Sequence, residues 1–139
     1  MIRSTCWFHF ATTLLALLLI LAACASTSDA TTPNTLHVTR IGPGKVRSLD
    51  RMVTDSAAVQ KLYTAAHALP AVTPGLHICP SYHYDGTGYH LNFLHDAISL
   101  QQMDLDAGGC HWLHLSKTDV HQDDHGNFFP QFLQTIGGS

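Results

Sequence analysis

Apolar and polar residues alternate along Leu36-His-Val-Thr-Arg-Ile41, and a period of two predicts a strand with one buried face. Gly42-Pro43-Gly44 turns the chain, and Lys45 to Val53 is predicted as a second strand. Asp55 has the character of an N-cap for a helix from Ser56 through Leu69. Val59, Leu62, Tyr63, Ala66 and Leu69 fall on one stripe of that helix, with Gln60, Lys61 and Thr64 opposite, and Pro70 ends it. A lone helix of that length does not hold together in water, so the stripe must cover a sheet.

The period of two returns beyond Pro74-Gly75. Leu76–Cys79 reads as a strand, Pro80 to Gly88 as a polar, tyrosine-rich loop, and Tyr89, Leu91 and Phe93 as the buried side of a strand whose other side carries His90 and Asn92. His95-Asp96-Ala97 is a short turn, and Ile98 to Leu105 returns antiparallel. Asp106-Ala-Gly-Gly109 turns again into Cys110–Leu115. Ser116 to Asn127 is polar and reads as loop. Asn127 is then placed to cap a last helix, with Pro130 tolerated in its first turn and Phe129, Phe132, Leu133 and Ile136 as its apolar side. The expectation is an α+β fold: an antiparallel sheet of four to five strands, one helix packed on it, and a short C-terminal helix. Its centre is Leu76–Leu115, closed at either end by Cys79 and Cys110.

Residues 1–23 have a different pattern: Arg3, then an apolar run from Ala11 to Leu21, then Ala22-Ala23. That is the shape of a secretory signal peptide. Leu21-Ala22-Ala23-Cys24 resembles the lipobox of bacterial lipoproteins, in which the cysteine is acylated on sulfur and becomes the first residue after cleavage. The resemblance implies lipidation at Cys24 and a cell-envelope location, on the membrane or the cell surface outside the cytoplasm. An ordinary cleavage site, giving a soluble secreted protein, and an uncut membrane anchor are the alternatives. Residues 24–35 are Ser/Thr-rich and read as a flexible tether, leaving 36–139 as one domain.

Export decides the cysteine arithmetic. Cys6 leaves with the leader and Cys24 takes lipid, so Cys79 and Cys110 remain in an oxidising compartment. One disulfide is the economical outcome, with two buried thiols as the alternative. Closing such a loop stabilises by roughly 3–4 kcal/mol in the chain-entropy model.

Charge is sparse at 12%, and every acid is Asp. No basic stripe exists to hold nucleic acid. Beyond the leader, six basic residues face ten Asp, a net charge of −4; protonating the ten remaining histidines would carry it to +6. Unperturbed histidine titrates near pH ~6.5, so a pH-responsive surface is one reading of this composition.

Asp119-Val-His121-Gln-Asp-Asp124-His125 is the first metal candidate. His121 and His125 at i, i+4 would share a helix face and could chelate zinc or copper. Asp104 and Asp106 would share a strand face, and they read as polar residues at a strand end. No serine stands in a Gly-x-Ser-x-Gly elbow, and a non-enzymatic role with no resident cofactor is expected. The loop residues Ser81, Tyr82, His83, Tyr84 and Asp85 offer amphipathic contact area for a protein partner.

The succession helix, Cys79-Pro80, Tyr84-Asp85, hairpin, Cys110 is similar to the second half of the Streptomyces-type subtilisin inhibitors. There the Cys-Pro segment carries the protease-binding loop. The resemblance implies that Ser81 to His83 would sit where the inhibitory bond lies. The chain departs in a loop one residue longer and in lacking a second bracing disulfide. The functional expectation is therefore a membrane-anchored binding domain acting through the Pro80–Gly88 loop. A histidine-based metal or pH sensor, and a serine-protease inhibitor, are the alternatives.

Overall fold

The computed structural model describes residues 31–42, 48–73, 75 and 86–137. The chain is α+β: one antiparallel sheet of six strands in the order β2-β1-β3-β4-β5-β6, with two helices. The strands are β1 (Thr35–Ile41), β2 (Asp50–Val53), β3 (Gly88–His95), β4 (Ile98–Asp106), β5 (Trp112–His114) and β6 (Val120–Gln122). The helices are α1 (Ser56–His67) and α2 (Phe128–Thr135). The expected strand Leu76–Cys79 lies outside the described residues, as does Cys79.

The sixth strand corrects the reading of Ser116 to Asn127 as loop. A strand of three residues is too short to show a period, and β6 depends on its neighbours. It pairs with β5 through Leu113↔His121. On its other side, Val72 N donates to Val120 O at 2.8 Å and Gln122 N donates to Pro70 O at 3.0 Å. The segment after α1 thus covers this sheet edge, which would otherwise present unpaired backbone groups.

Alternation in the strands sorts the sheet into two faces. Leu36, Val38, Leu91, Phe93, Met103, Leu105 and Leu113 are buried on one of them. Val59, Leu62 and Ala66 of α1 and Phe128, Phe132 and Ile136 of α2 close that face into one core. The two aromatic corners are edge-to-face pairs, Tyr63 with Phe93 at 5.1 Å and Tyr89 with Phe132 at 4.8 Å between centroids, the arrangement that ring quadrupoles favour.

Caps settle where the helices stop. Asp55 Oδ1 accepts from Ala57 N at 3.1 Å and from Ala58 N at 3.2 Å, as its position predicts. At α2 the position of the cap is Asn127, but its side chain makes no capping bond. Asp123 does that work from four residues upstream: Oδ1 accepts from Asn127 N and Oδ2 from Phe129 N, each at 2.9 Å. This carboxylate is only 7% exposed. The far end of α2 is held by Arg51 of β2, whose guanidinium donates to the Ile136 carbonyl. Gly137, at φ +66°, then turns the chain in the left-handed conformation that commonly ends helices.

The β3–β4 hairpin contains an irregularity that the sequence pattern does not reveal. His95 pairs with Ile98 and Leu94 with Ser99, but Phe93 pairs with Gln101. Leu100 is therefore an extra residue on β4, a β-bulge. It moves every later pair by one position, so that Leu91 meets Met103 and His90 meets Asp104.

Candidate functional site

Both helices lie on the core face of the sheet. The other face carries polar side chains in cross-strand rows, because residues directly opposite one another in paired strands share a face. One row runs Asp50–Thr39–His90–Asp104–His114 across β2, β1, β3, β4 and β5.

Histidine meets aspartate repeatedly along it. His90 Nδ1 lies 2.7 Å from Asp104 Oδ1, and His37 Nε2 lies 2.7 Å from Asp50 Oδ1. His114 Nε2 stands 3.7 Å from Asp106 Oδ2, beyond hydrogen-bond distance. These groups are half-exposed, at 38% for His90 and 35% for both His114 and Asp106. A pair in such surroundings is screened by water and contributes little to stability. Its interest lies in the donors it presents.

The residues singled out from the sequence are divided by the structure. Cys24, Cys79, and Ser81, Tyr82, His83, Tyr84 and Asp85 lie outside the described residues. His121 and His125 do not share a helix face: His121 is in β6 and His125 is on the turn that precedes α2. Both ring nitrogens of His121 are engaged, Nδ1 with the Leu69 carbonyl at 2.7 Å and Nε2 with Asp119 Oδ1 at 2.9 Å. The imidazole of His125 is 82% exposed, with Asp124 Oδ1 3.8 Å away. Asp104 and Asp106 do share a strand face, and each has a histidine beside it. The sequence signal for that face was present in the alternation that put His90 and Asn92 opposite Tyr89 and Leu91. What joins His90 to Asp104 and His114 is strand register, and a bulge sets it.

A concavity of about 510 Å³ opens at the start of α1 and β1 and is lined in part by Thr35, Thr54, Ser56, Gln60 and His95. Its lining is hydroxyl and amide rather than charged. His95 is turned away from open solvent and donates from Nδ1 to the Thr32 carbonyl at 2.8 Å. No family model, curated protein or solved structure matches the chain.

Proposed function

We infer that this chain is an exported, lipid-anchored protein of a bacterial cell envelope, whose domain binds a ligand on the helix-free face of its sheet. Export and anchoring are supported by the apolar leader and by Leu21-Ala22-Ala23-Cys24 behind it. Cys110 is disulfide-bonded, which fits an oxidising compartment; we assign Cys79 as its partner. Acyl anchoring needs more than one chain for stable attachment, since each buried CH₂ contributes about 0.8 kcal/mol.

The observation that carries the binding role is the row His90–Asp104–His114. A sheet face that only needed solvation could be met by any polar residues. Here two imidazoles and a carboxylate stand side by side on three adjacent strands, with His90 hydrogen-bonded to Asp104.

The test is fractionation of cells making the wild type and Cys24→Ser. The wild type is expected in the membrane fraction with an acylated N-terminal Cys24, and the variant outside it. A wild-type protein that is soluble, carries no lipid and retains Ala23–Cys24 intact would overturn the anchored reading.

A further inference from the structure

We propose that the open edge of the sheet, strand β2, pairs antiparallel with β2 of a second copy of this chain, with Met52 on the two-fold axis. The pairing leaves the helix-free face clear and goes beyond the ligand of that face. It rests on the anchored reading only for the concentration of copies.

The ladder shows which groups are available. Arg40 N donates to Leu49 O at 2.9 Å. Bonded and unbonded pairs alternate along an antiparallel ladder. Val38–Arg51 and Leu36–Val53 are therefore bonded pairs, and Thr39–Asp50 and His37–Met52 are not. The backbone N–H and C=O groups of Asp50 and Met52 point away from β1, out of the sheet. β2 ends the strand order on this side. On the other side the segment after α1 covers β6, whereas among the described residues nothing pairs with the outer edge of β2. Asp50, Arg51 and Met52 are all exposed. Met52, at 53%, is one of the few large apolar side chains left in solvent. An edge with such donors and acceptors is a template for another strand.

Charge selects the register. Outward-facing residues must meet outward-facing residues, so the exposed run can be centred on Asp50, Arg51 or Met52. The first setting puts two carboxylates directly opposite, and the second puts two guanidiniums opposite. Like charges in those positions are destabilising. Centred on Met52, the two thioether chains meet, Asp50 faces Thr54 of the second copy, and Arg51 faces its Val53. Met52 then exchanges both backbone bonds with its own counterpart. The strand is thus complementary to itself, as a two-fold contact requires, and the helices of both copies lie on one side of the joined sheet.

Four residues bury less than the ~1,200 Å² of a stable interface, so the pairing is weak in free solution. Confinement on one membrane raises the effective concentration without any new contact. The two chain entries at Thr35 would stand on the order of 20 Å apart across the axis. The chain from Cys24 to Asn34 can reach roughly 35 Å, so both anchors can enter one bilayer.

The experiment is thiol cross-linking of the full-length protein in the membranes of cells that make it. Met52→Cys should give a disulfide-linked dimer on mild oxidation, because a bonded antiparallel pair sets its Cα atoms ~5.5 Å apart, within disulfide reach. Asp50→Cys and Thr54→Cys, made as separate chains in one cell, should link to each other. Thr118→Cys, exposed between β5 and β6, should not link. Adding Met52→Lys to both the Asp50→Cys and Thr54→Cys chains should abolish their link, since two ammonium groups then meet on the axis. Amide exchange in the unsubstituted protein is a readout independent of any variant: at Asp50 and Met52 it should slow as the protein is packed more densely in vesicles. No link at Met52→Cys, a link at Thr118→Cys as strong, or capture of a different polypeptide by Met52→Cys would overturn the pairing of copies. Membrane-bound protein that gives no link refutes this proposal alone. A linked dimer found soluble and free of lipid refutes the anchored reading alone.

Discussion

Asn34 and Asp96, sixty-two positions apart, hold each other by two hydrogen bonds: Asn34 Nδ2 donates to Asp96 Oδ1 at 2.8 Å, and Asp96 N donates to Asn34 Oδ1 at 2.9 Å. Asp96 is in the left-handed region, at φ +54°, at the tip of the β3–β4 turn. Asp and Asn tolerate that conformation better than most residues. The contact ties the point where the chain enters the domain to the tip of its central hairpin. Pro33, next to Asn34 in sequence, is fully buried.

Asn34→Ala removes both bonds and should lower stability by about 1–2 kcal/mol. The checks are a urea midpoint and the exchange rate of the Asp96 amide, which should rise more than those of the core strands. Unchanged protection at Asp96 would count against the clamp.

Asp123 is a buried carboxylate accepting two backbone N–H groups, so Asp123→Ala leaves both donors unmet and should cost about 2–3 kcal/mol. Asn127→Ala, at the nominal cap position, should cost less than about 0.5 kcal/mol, because its side chain makes no capping bond. Comparing the two midpoints tests which residue starts α2; equal losses would contradict the geometry.

Leu100 is the residue of β4 that faces no partner on β3, so deleting it removes the bulge and joins Leu94–Ser99 and Phe93–Gln101 into one continuous register. His90 then stays opposite Asp104, and no residue of β4 changes face. The deletion variant is expected to unfold cooperatively and to keep near-ultraviolet circular dichroism close to that of the wild type. Loss of both would mean that Leu100 is not the extra residue of the hairpin.

Replacing both Cys79 and Cys110 by Ala should lower stability by about 3–4 kcal/mol, the chain-entropy contribution of a loop of this size. Peptide mapping without reduction should recover the two cysteines in one linked fragment. Finding both as free thiols would remove the bridge and with it the structural support for an oxidising compartment.

Local chemistry made much of this chain legible in advance. Asp55 and the stripe Val59, Leu62, Ala66 specify α1 because a cap and a helical period act within a few residues. Leu36, Val38, Leu91 and Phe93 declare their buried face because strand side chains alternate. Asp123 could not be recognised as a cap, since nothing in a run of polar residues says which one folds back to meet a helix that starts five residues later.

The sequence by itself determined the α+β class, the first helix, the central hairpin and the sidedness of its strands, since each follows from periodicity or capping within a short segment. Only the tertiary structure decided that Val120–Gln122 is a strand, because three residues acquire that state from β5 and the segment after α1. It also decided that His90, Asp104 and His114 are neighbours: pairing across strands is non-local, and leaving Leu100 out of the ladder sets Asp104 opposite His90 where an uninterrupted ladder would set Met103.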